Sequence, residues 1–143
     1  MVCRCPQMVL PISKENSEVS WNLAGTTLTR DETLKSTDPI TIRRWWIAVT
    51  TTAARNESTL FNGRRTERFT FGTDRTDLSV TGWADWPLKT SLLATGDTAL
   101  GRGARGAIPM HLVYESRDLR LEPNRPKTWH LVIELAPSAK PLD

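Results

Sequence analysis

The sequence predicts a mainly β fold: an antiparallel sandwich or barrel, jelly-roll-like, with six to eight strands and one or two short helices. Three observations predict it. Apolar and polar residues alternate with period two in several separate stretches, the pattern of a strand with one buried face. β-Branched residues recur in runs such as Val49-Thr50-Thr51-Thr52, and they favour extended backbone. Turn-forming clusters punctuate the alternation, among them Asn62-Gly63, Gly72-Thr73-Asp74, Thr95-Gly96-Asp97 and Glu122-Pro123-Asn124-Arg125-Pro126, each rich in residues that turns require.

The first strand is read where Val19, Trp21 and Leu23 alternate with Glu18, Ser20 and Asn22. Thr29-Arg30-Asp31-Glu32 spells a capping box, followed by Leu34 and stopped by Pro39, which predicts a short helix. Ile40 to Thr52 is the longest strand, and its mixed patterning counts against a closed ligand-holding barrel. Arg65 to Phe71 and Asp77 to Trp83 follow as strands. Asp85-Trp86-Pro87 opens a second short helix, with Leu88 and Leu92 one turn apart and Gly96 as its stop; a strand over Leu88 to Thr95 is the rival reading. Met110, Leu112 and Tyr114 mark the next strand. Trp129, Leu131, Ile133 and Leu135 mark the last, and its alternation is the clearest in the chain. The expected organisation is one β domain over 18–136, with tails at 1–17 and 137–143 where proline and polar residues replace the alternation.

The 143 residues suffice for one buried core, to which six Trp and three Phe bring large apolar area. No apolar run reaches the roughly 18–20 residues of a membrane span, and no apolar leader marks a secretory signal. A soluble cytoplasmic or virion protein is expected. The two cysteines, Cys3 and Cys5, are too closely spaced to bridge without strain. Asn56-Glu57-Ser58 matches a glycosylation sequon, which is idle without secretion. The net charge is +3, its surplus lying in residues 1–72, and arginine outnumbers lysine 14 to 5. Arginine suits bidentate grip on phosphate or carboxylate; a GC-rich genome gives the same bias.

Catalytic motifs are absent: there is no nucleophile elbow, no His-Glu-x-x-His pair and no P-loop. His111 and His130 fall on the polar phase of their strands. Were those strands paired, the imidazoles would approach, and with Tyr114, Glu115 and Glu134 they form the one cluster fit for acid–base work. With Cys3 and Cys5 they also supply zinc-ligand types, although Cys-x-Cys is tighter than a structural zinc site; no metal and no cofactor is expected. Gly101-Arg102-Gly103-Ala104-Arg105-Gly106 satisfies G-x-G-x-x-G literally, but Pro109 interrupts the helix that a dinucleotide site needs. Trp83-Ala84-Asp85-Trp86 reads either as an exposed aromatic shelf or as buried rings closing one end of the core.

Three function classes remain. The first is a non-enzymatic assembly subunit that packs against copies of itself or into a larger particle, a virion or phage component by analogy of fold alone. The second is a module binding RNA or another polyanion through Arg43, Arg44, Arg64, Arg65, Arg102 and Arg105, with Arg117, Arg120, Arg125 and Lys127 as a further basic group. The third is an enzyme built around His111 and His130. The sequence favours the first class, with a homo-oligomer or a larger protein assembly as partner, RNA as the alternative partner and no membrane.

Overall fold

The computed structural model describes residues 15–53, 55–70, 76–94 and 108–137. Among them are nine strands and no helix: β1 (Glu15–Ala24), β2 (Thr27–Ser36), β3 (Ile40–Ala53), β4 (Arg55–Phe61), β5 (Arg64–Thr70), β6 (Thr76–Ala84), β7 (Lys89–Ala94), β8 (Ile108–Leu121) and β9 (Lys127–Pro137). They form two antiparallel sheets, six strands in the order β1-β2-β9-β6-β5-β4 and three in the order β3-β8-β7. The sheets face each other over one core in a sandwich-like arrangement. Glu15, Asn16 and Ser17 of the expected N-terminal tail and Pro137 of the C-terminal one are thus strand residues.

The strand count exceeds the expected six to eight, and both expected helices are strands. Residues 29–36 belong to β2, which is held between β1 and β9. Its inward side chains are Arg30, Glu32, Leu34 and Ser36. The alternation is present, but two charged residues occupy apolar positions and hide it. The Gly25 turn (φ 60°) also ties β2 to β1 in a hairpin, so pairing overrides the local capping signal. The second expected helix is β7, the rival strand reading, which pairs with β8. The Asp85 carboxylate does not cap a helix; it accepts hydrogen bonds from the Thr128 N–H at 3.1 Å and its hydroxyl at 3.4 Å. β4 escaped the sequence reading because it shows no apolar alternation. The Asn62-Gly63 turn (φ 49° and 73°) was its signal, since a two-residue hairpin implies a strand on each side.

The mixed patterning of β3 has a structural cause. Inward positions run Ile40 and Ile42, then shift phase to Trp45, Ile47 and Val49. The same shift occurs on β8, between Leu112 and Tyr114 on one side and Leu119 and Leu121 on the other. Arg43 and Asp118 lie between the paired steps Ile42–Leu119 and Arg44–Arg117, and Asp118 takes a φ of 52°. Both strands turn over together, so the pairing register survives while the buried face changes.

Aromatic rings join the two sheets at their centre. Trp129 on β9 meets Trp45 on β3 (centroids 5.1 Å apart) and Tyr114 on β8 (4.9 Å), and Trp45 meets Trp86 edge-on at 5.3 Å. Trp86 is buried and Trp83 faces outward, so the Trp83–Trp86 pair splits between the two sequence readings. Gly82 on β6 makes room for the cluster: a Cβ there would lie 2.5 Å from Trp129 Cη2 and 2.7 Å from Tyr114 Cε1 and Cζ. Gly82→Ala is therefore expected to destabilise the fold by about 1–3 kcal/mol, measured by urea unfolding.

Tyr114 is fully buried, and its hydroxyl lies near the Gly82 backbone without a hydrogen bond of acceptable geometry. Burial first, and then the negative charge of Glu67, push its ionisation well above the ordinary phenol value of 10.0, against the opposing pull of Arg65. The stability this group protects is fully present below the ordinary phenol value. It is lost as pH climbs from there toward the raised folded value, at about 1.4 kcal/mol per pH unit. Tyr114 is the chain's single tyrosine, so ultraviolet titration is expected to show no phenolate until the protein unfolds. Tyr114→Phe is expected to flatten the alkaline loss of stability.

Candidate interaction surfaces

The larger sheet overhangs the smaller one, and its inner face changes character from the middle outward. On β9 and β6 it is apolar, with Trp129, Leu131, Ile133, Leu78 and Val80. One strand in from each edge it carries an Arg-x-Glu pair instead. On β2, Arg30 donates to Glu32 at 2.8 Å, and Ser17 of edge strand β1 donates to the same carboxylate at 2.8 Å. On β5, Arg65 donates to Glu67 at 2.5 Å, while Ser58 and Asn56 of edge strand β4 donate at 2.8 and 2.9 Å. Glu67 is wholly buried, and three donors match its charge. Arg65 also reaches the Thr90 carbonyl of β7 at 3.5 Å, linking the two sheets at this flank.

Beyond these ion pairs, the edge strands present apolar side chains to solvent. β1 rests almost wholly on β2, and its inward row Val19, Trp21 and Leu23 is 43%, 44% and 70% exposed. The Arg30 guanidinium lies 5.5 Å from the Trp21 ring. At the opposite edge, Leu60 and Phe61 at the tip of the β4–β5 hairpin are 74% and 76% exposed.

The predicted arginines are dispersed rather than gathered. Arg43 and Arg44 are exposed on β3. Arg44 lies over Trp46 (5.8 Å) and donates to a Glu115 oxygen at 3.1 Å, the oxygen that Arg117 also contacts at 3.1 Å. Burial alone raises the Glu115 carboxyl, but the two guanidiniums outweigh it and hold the group below the ordinary carboxylate value. Arg64 lies on the outer face of the larger sheet, 4.1 Å from the Trp83 ring, whereas its neighbour Arg65 points inward. Arg102 and Arg105 lie outside the described residues, as do Cys3 and Cys5.

The two histidines do not meet. β8 and β9 belong to different sheets, and each imidazole faces outward. His111 shares a hydrogen bond with Thr50 at 3.0 Å; His130 stacks on Trp83 and bonds Asp31 at 2.5 Å. The expected approach of the imidazoles needed β8 and β9 to pair, and each pairs elsewhere. Among the described residues, no three His, Cys, Asp or Glu side chains come close enough to hold a metal ion, and no helix is long and apolar enough to cross a membrane.

One groove of about 710 Å³ runs between the β6–β7 connection and β8. Lys89, Arg117, Arg120 and Lys127 line it against Glu115 and Asp118. Arg120 pairs with Glu122 at 2.6 Å, and among the described residues the two lysines make no ion pair. Sequence reading singled out Arg117, Arg120 and Lys127, but β7 had to be placed before Lys89 could join them.

The contrast between Arg64 and Arg65 is measurable. Arg65→Ala strands the Glu67 carboxylate in the interior and is expected to cost about 3 kcal/mol. Arg64→Ala removes an exposed cation–π contact and is expected to cost at most about 1 kcal/mol. Paired thermal melts read both. The sequence matches no protein-family model, and no curated protein matches it significantly.

Proposed function

We propose that the chain is a non-enzymatic assembly subunit that packs through its β domain with copies of itself in a larger particle. The observation that carries this reading is the β1 overhang, where Val19, Trp21 and Leu23 form an apolar row with no strand of the smaller sheet over it. Contiguous exposed apolar rows rimmed by polar residues mark protein contact surfaces. Trp46 and Leu93, exposed on the outer face of the smaller sheet, extend the apolar surface available to neighbours. The jelly-roll-like reading is supported by nested pairing, β2 with β9 and β3 with β8, which brings two ribbons together across both sheets. Sedimentation of the purified chain over a concentration series is expected to show a mass that rises above the monomer. A monomer throughout would overturn the reading.

The cationic groove supports a second reading, contact with RNA or another polyanion. Lys89 and Lys127 supply charge that no carboxylate among the described residues neutralises by direct pairing. Binding to a single-stranded RNA homopolymer is then expected to weaken with salt. Lys89→Gln/Arg120→Gln/Lys127→Gln is expected to lower the slope of log affinity against log salt by about 2, from roughly 0.7 per phosphate contact on a single strand. An affinity indifferent to salt would remove this reading.

A further inference from the structure

We infer that copies of this chain join head to tail, the β1 edge of one against the β4 edge of the next, so that the six-stranded sheet continues from molecule to molecule. This rests on the assembly reading and specifies which surfaces meet. Among the described residues, β1 and β4 are the two margins of one sheet, and each turns a row of backbone N–H and C=O groups away from the strand it pairs with. Natural edges resist such pairing with proline, lysine or short length. β1 has ten residues and β4 seven, and neither contains proline or lysine. Both carry apolar side chains into solvent at the margin, Val19, Trp21 and Leu23 on one and Leu60 and Phe61 on the other. In a continued sheet Leu60, on the inward face of β4, joins the inward row of β1.

Charge selects unlike edges over like ones. The β1–β2 ribbon carries Glu18, Asp31 and Glu32 against Arg30 and Lys35. The β4–β5 ribbon carries Arg64, Arg65 and Arg68 against Glu57 and Glu67. Two β1 edges would bring acidic ribbons together, whereas β1 against β4 opposes an acidic ribbon to a basic one. The contact is heterologous, closing into a ring or running on as a filament according to the rotation between copies.

Two variants test it. Val19→Lys/Leu23→Lys makes the β1 edge cationic, and Leu60→Asp/Phe61→Asp makes the β4 edge anionic. All four side chains are at the surface, and thermal melts verify folding; Leu23→Lys alone stands in for the first pair should that pair impair it. In sedimentation each variant alone is expected to be a monomer, while their equimolar mixture associates into heterodimers or longer alternating chains, because each supplies the edge the other lacks. If the wild type associates but the β4 variant alone still dimerises, or the mixture stays monomeric, head-to-tail pairing is wrong and the assembly reading stands. A wild type that is monomeric at every concentration overturns both.

Discussion

Trp129 is the constraint on which the two sheets depend. Its ring bears on Trp45 and Tyr114 from the opposite sheet, and its edge occupies the space where any residue but glycine at position 82 would place a Cβ. A large ring of this kind contributes both buried area and directional contacts between edge and face. The close approach of β6 to β9 at Gly82 and the inward reach of Tyr114 from β8 both meet this one indole, and Trp45 passes the contact on to Trp86. The cluster also leaves Trp86 Nε1, Trp129 Nε1 and the Tyr114 hydroxyl without hydrogen-bond partners among the described residues. Buried donors of this kind cost free energy, so packing dominates polar satisfaction here.

A three-stranded sheet cannot cover a six-stranded one, and the sequence shows how the mismatch is accommodated. Buried apolar side chains fill the inner face at its middle, on β9 and β6. At each flank an Arg-x-Glu pair takes over, with a serine of the edge strand completing the carboxylate's hydrogen bonds. Three residues on one strand thus place a cation and an anion side by side on one face, since strand neighbours two apart point the same way. The carboxylates of both ion pairs are buried, and on the β5 side Arg65 also reaches β7 of the other sheet; the apolar side chains of the edge strands outside them are exposed.

Much of the fold was legible because burial writes itself as alternation. β5, β6 and β9 each alternate where one face meets the core, and β3 and β8 do so on either side of their phase shift; β1 alternates too, although its apolar row is exposed. Legibility failed where the inward positions are not apolar. Arg30 and Glu32 made β2 resemble a capped helix, and Asn56 and Ser58 made β4 look like a loop. The candidate surfaces were harder still. Arg64 and Arg65 are adjacent in sequence and looked equivalent, yet the pleat sends one to a half-buried tryptophan on the outer face and the other to a buried glutamate. His111 and His130 share a polar phase, but phase does not reveal which sheet a strand joins.

The same failure has a functional reading. Charged residues inside a sheet hide a strand from sequence patterning, and in this chain they sit next to the two edges with the least cover. Each Arg-x-Glu pair engages its edge strand through polar side chains, Ser17 on β1 and Asn56 and Ser58 on β4, and Arg30 lies against Trp21, while Val19 and Leu23 at the rim stay exposed. Polar burial one strand in, apolar exposure at the rim and ribbons of opposite charge at the two margins form a consistent set. Each feature is costly or neutral for an isolated domain, and all three gain a purpose when the sheet has a neighbour on both sides.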